Sequence, residues 1–171
     1  MSTKQAFDER LYKLNDDFNL FTAKKYPATE ELIADFERAQ SLTAEYKEFL
    51  LSYGMLIIEV KEEIWKRPEE FDILPAWKFG YACFVMGLSP NDTVPQWIQL
   101  KKPGKRGLLF FERSGGLYST YFHGDKIAID HDHEGSDEPD WEEFSGNFWD
   151  FMIAEVDKLE NDYKNYINEQ V

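Results

Sequence analysis

Leu108-Leu-Phe-Phe-Glu112, Leu117-Tyr-Ser-Thr-Tyr-Phe122 and Lys126-Ile-Ala-Ile-Asp130 follow one another across two short turn signals, Ser-Gly-Gly and His-Gly-Asp. Each run is rich in β-branched and aromatic residues, which suit a pleated, half-buried surface. Turns this short join antiparallel neighbours, because a parallel crossover needs a dozen or more residues. The stretch therefore reads as an antiparallel meander. Working outward, Trp97–Leu100, Tyr81–Leu88 and Met55–Val60 are further compact apolar runs and predict three more strands. Lys61–Glu70 fits either a helical turn before Pro68 or an extended excursion.

Both flanks are helical in period. Phe7, Leu11, Leu14, Phe18 and Phe21 recur at steps of four and three, predicting an amphipathic helix from near Ser2 or Thr3 that ends before Pro27. Thr29 caps a second, with Glu30 and Glu31 in its first turn and Leu32, Ile33 and Phe36 as its stripe. Thr43 caps a third, with Tyr46, Phe49, Leu50 and Tyr53 on one face and Gly54 as its stop. After a polar acidic loop at 131–140, a last long helix is predicted. Ser145 is its cap, Phe144 and Trp149 form a staple, and Phe148, Met152, Val156, Leu159 and Tyr163 make the stripe. Helices, then strands, then a helix define an α+β class: one domain over 1–171, its antiparallel sheet packed with N-terminal helices and a long C-terminal helix.

Composition narrows the function classes. The 171 residues include 14 Phe, 9 Tyr and 5 Trp, ample for one core. Net charge is 19 − 33 = −14, which opposes a binder that neutralises phosphates. Residues 125–171 hold 15 acids and three bases, so most of that excess lies near the end. A single cysteine, Cys83, makes neither an intrachain disulfide nor a cysteine zinc cage, and its apolar run marks it as a core residue. The charged opening residues do not suit a signal peptide, and no apolar run is long enough for a membrane span. The expectation is a cytoplasmic protein with no membrane and no nucleic-acid partner.

Motifs for chemistry are sparse. There is no glycine-rich nucleotide loop, no His-Glu-x-x-His and no Gly-x-Ser-x-Gly, so the chain is expected not to be an enzyme and to need no cofactor. Asp130, Asp132, Glu134 and Gly135 match the first, third, fifth and sixth positions of a calcium loop, but Trp141 stands at the twelfth, where a bidentate Glu belongs. His131 and His133, with His123 nearby, suggest a transition metal or a small metal-dependent enzyme, yet the ligand set is incomplete. No metal is expected. Lys101, Lys102, Lys105 and Arg106 read as a solvated hairpin tip. The distinctive feature is acidic: Asp130, Asp132, Glu134, Asp137, Glu138, Asp140, Glu142 and Glu143 occupy 14 residues without a Lys or Arg, with Trp141 among them. Such a run repels itself and suits a basic partner, with Trp141 as the aromatic anchor. The plainer reading is a solvated loop whose acids favour the positive end of the following helix.

Leu42-Thr-Ala-Glu-Tyr-Lys-Glu-Phe-Leu-Leu-Ser-Tyr-Gly54 resembles the signature helix of the SUKH superfamily, and Thr29–Glu37 is similar to the short helix leading into it. The strands, the Asp-His-Asp stretch and the helix at Ser145–Ile153 follow the family's order. The resemblance thus covers 29–171, with 1–28 as an N-terminal helical extension. Thr43 and Tyr53 depart from the family's usual Pro and Asn. The resemblance implies an α+β fold and a non-catalytic role. In bacteria that role is an immunity protein neutralising a nuclease-type toxin; in eukaryotes it is an interaction module. The expected partner is a cognate toxin with a basic C-terminal domain, held by Asp130, Asp132, Glu134, Asp137, Glu138, Asp140 and Trp141.

Overall fold

The computed structural model describes residues 2–18, 21–38, 41–54, 56–60, 82–85, 97–99, 106–113, 118–131 and 141–169. These residues form helices α1 (Lys4–Phe18), α2 (Glu30–Glu37), α3 (Ala44–Ser52) and α4 (Phe148–Glu169). The strands are β1 (Phe21–Lys25), β2 (Leu56–Val60), β3 (Ala82–Val85), β4 (Trp97–Gln99), β5 (Arg106–Arg113), β6 (Tyr118–His123), β7 (Lys126–Asp130) and β8 (Trp141–Phe144). All pair antiparallel in one sheet, in the order β1-β2-β3-β5-β6-β7-β8. β4 pairs with Arg106–Leu108 of β5 and β3 with Phe111–Arg113. The chain is a single α+β domain, as its element order predicts.

Two expectations fail locally. The first helix stops at Phe18, and Phe21 opens β1, which pairs with β2 from Phe21↔Val60 to Lys25↔Leu56. A spacing of three cannot distinguish one more helical turn from a strand, and the partner strand that decides, β2, follows only after α2 and α3. The second concerns the acidic loop, which leads first into β8 and only then into a helix. The cap of α4 is accordingly Asn147, not Ser145. Asn147 Oδ1 accepts from the Asp150 amide at 2.8 Å, and Asp150 Oδ2 accepts from the Asn147 amide at 3.0 Å. That reciprocal box satisfies two otherwise orphaned donors. Phe144 meets Phe151 edge-on, with ring centroids 5.5 Å apart.

The α3 prediction holds residue by residue. Thr43 Oγ1 accepts from the Tyr46 amide, and Tyr46, Phe49, Leu50 and Tyr53 are buried. Gly54 ends the helix at φ 62°, and a Cβ there would lie 1.7 Å from the Tyr26 carbonyl oxygen. Glycine is required twice over, by the left-handed backbone and by the close approach. The approach itself is functional for the fold: Tyr26 and Ala28 amides donate to the Tyr53 and Leu50 carbonyls, supplying the acceptors left over at the helix end with partners.

α3 and α4 meet the sheet through aromatic rings. Tyr46 lies 5.0 Å from Phe122 and 5.5 Å from Phe148, and Phe49 lies 5.3 Å from both Tyr53 and Phe148. Phe110 stacks on Phe122 at 4.3 Å, while Phe111 meets Phe151 at 5.2 Å. Phe110 and Phe111 are adjacent in sequence, yet both are fully buried in the same core. A regular strand would send them to opposite faces. The register shift between Leu109 and Phe111, where β5 bulges against β6, allows both to turn inward.

α1 joins this core through Phe7, Leu11 and Leu14. Its polar side is tied down as well: Arg10 pairs with Asp157 and Glu160 of α4, and Asp8 accepts a hydrogen bond from the Tyr53 hydroxyl. The Lys25 ammonium lies 4.6 Å from the centre of the Tyr53 ring, and Lys4 pairs with Asp8 at 2.6 Å. Burial pushes the Tyr53 phenol well above its ordinary value, and the Asp8 carboxylate adds to the effect. Burial acts to raise Asp8 as well, but the hydrogen bonds from Lys4 and Tyr53, with the charges of Lys4 and Lys25, outweigh it and hold the carboxyl below its usual value.

Candidate functional site

The acidic run reaches the described sheet at its two ends. β7 finishes at Asp130, β8 begins at Trp141, and these two residues are register partners. Asp132, Glu134, Asp137, Glu138 and Asp140, with His133, lie outside the described residues. Asp130 is half-buried, and Trp141 is placed by its backbone alone.

β8 is the last strand in the sheet order and pairs with β7. The β7 side of that pair is firmly anchored, since Ile127 and Ile129 belong to the core and Ala128 is also buried. Pairing Ile127 with Phe144 turns Phe144 toward the helices, and the two glutamates between then alternate faces. Both are open to solvent, with side-chain exposures of 66% for Glu142 and 52% for Glu143. Lys126 donates to both Glu143 oxygens, at 2.9 and 2.7 Å, and the bond holds that lysine above its ordinary value. His131 Nε2 is 3.6 Å from Glu142 Oε1, an ion-pair distance but not a hydrogen bond.

Asp150 is the carboxylate that serves the start of α4. The Asn147 amide, then Ser2 through its side chain and, to a lesser degree, its amide (2.8 Å from Oδ1), hold it below its usual value. Glu142 and Glu143 are strand residues that pair with His131, just beyond β7, and with Lys126 of β7, so the helix-end reading explains Asp150 rather than them.

Among the described residues no three His, Cys, Asp or Glu side chains gather as ligands, and Asp132, His133, Glu134 and Gly135 of the metal readings lie outside those residues. His123 and His131 sit at opposite ends of the β6–β7 hairpin, because His123 pairs with Lys126 while His131 follows Asp130. Cys83 occupies the second position of β3, its side chain outside the described set. Arg106 of the basic patch opens β5, and Lys101, Lys102 and Lys105 lie outside the described residues. No described helix is long and apolar enough to cross a membrane.

The acidic run read from the sequence includes Glu142 and Glu143, although the expected contact residues end at Trp141. The signal that finds them is Trp-Glu-Glu-Phe itself, a four-residue run bounded by aromatics, which pairs as a strand and lifts two carboxylates onto the sheet's edge. No protein-family model, curated protein or solved structure matches this chain.

Proposed function

We propose that this chain is a non-catalytic binding protein of the toxin-immunity kind, which acts in the cytoplasm and neutralises a cognate, nuclease-type toxin by binding its basic C-terminal domain. The observation that carries the reading is the acidic edge, where exposed Glu142 and Glu143 continue a run from Asp130 that contains no Lys or Arg. A nuclease-type toxin is basic where it holds phosphate, and an acidic strand edge with an aromatic at its start complements such a surface. Attraction across the gap raises the association rate, the quantity that matters to an inhibitor competing with nucleic acid. The resemblance of Leu42–Gly54 to the SUKH signature helix points to the same role.

The test is binding to the basic C-terminal domain of a toxin encoded beside this chain, followed by calorimetry and by inhibition of nuclease activity. Tight, stoichiometric binding with loss of nuclease activity is the expected result. Replacing Asp137, Glu138 and Asp140 with Lys should slow association and weaken its salt dependence, while Trp141→Ala should act through faster dissociation. Absence of a neighbouring toxin, or no binding at low salt, would instead favour an interaction module of another kind.

A further inference from the structure

We draw no further inference here: the strongest candidate, the outer edge of the sheet at β8 with Glu142 and Glu143 exposed, belongs to the site already described, and nothing in the structure shows what else covers it.

Discussion

α3 and β8 are both short, nine and four residues, and both lie against the same core, yet they are built to opposite ends. α3 buries Tyr46, Phe49 and Leu50, is capped by Thr43, and has its last carbonyls covered by the chain around Tyr26. β8 turns Phe144 inward and leaves two carboxylates in water. The difference teaches where free energy is concentrated. Substitutions in α3 should unfold the molecule, whereas those in β8 should leave it folded and alter what it attracts.

The largest effect is expected from Phe49→Ala. A ring with no exposed surface leaves a cavity, and the loss should be about 3–5 kcal/mol in a denaturant melt. A loss below about 1 kcal/mol would mean that α3 is not a pillar of the core. Gly54→Ala should come next, at about 3 kcal/mol, because the backbone strain is joined by a clash with the Tyr26 carbonyl. By contrast Gly124→Ala, in the β6–β7 turn at φ 68° with nothing within 4 Å of the added carbon, carries the conformational cost alone and should lose less. Equal losses at the two glycines would remove the close approach as an explanation.

Tyr53→Phe removes the hydroxyl bound to Asp8 and should cost about 1 kcal/mol, the carboxylate left behind being partly solvated. It also tests the pH dependence. The folded-state value of Tyr53 is raised, so its contribution is complete below the ordinary phenol value of about 10 and is lost as pH rises beyond it. Asp8 is lowered, so its contribution is complete above about pH 4 and is lost as pH falls through the folded-state value. Melting midpoints of Tyr53→Phe against pH should be flatter than the parent's on both limbs. Parallel curves would show that the pair is not coupled to folding.

Thr120→Val should move stability the other way. Thr120 is fully buried, and among the described residues its hydroxyl oxygen has no hydrogen-bond partner, so an isosteric apolar side chain relieves a desolvated group and should gain about 1 kcal/mol. The smallest effect on folding belongs to Glu142→Lys with Glu143→Lys, which should leave the thermal midpoint close to the parent's while slowing association with a basic partner. A large drop in the midpoint would make β8 a structural strand like the others and break the contrast with α3.

The elements that were legible from sequence are those whose determinants are local. Thr43, the Tyr46–Phe49–Leu50 face and Gly54 all lie within one short segment, and the β6–β7 turn needs only His-Gly-Asp between two β-branched runs. The misread elements depend on distant partners. β1 is a strand because β2 lies beside it after two intervening helices, and Asn147 caps α4 because β8 uses up the residues before it. The candidate site divides in the same way. Its charge is composition, visible in any reading of 130–143, but the exposure of Glu142 and Glu143 follows from their place on the last strand of the sheet.

The sequence by itself determined the α+β class, the antiparallel meander, the buried face of α3 and the sign of the charge near the end, because periodicity, turn residues and net charge act over a few residues. Only the tertiary structure decided that Phe110 and Phe111 both enter the core, that Gly54 must admit the Tyr26 carbonyl, and that two exposed carboxylates stand on the last strand of the described sheet order. Each of those depends on a strand or segment far away in the chain, and the bulge, the close approach and the edge exist only once that partner is in place.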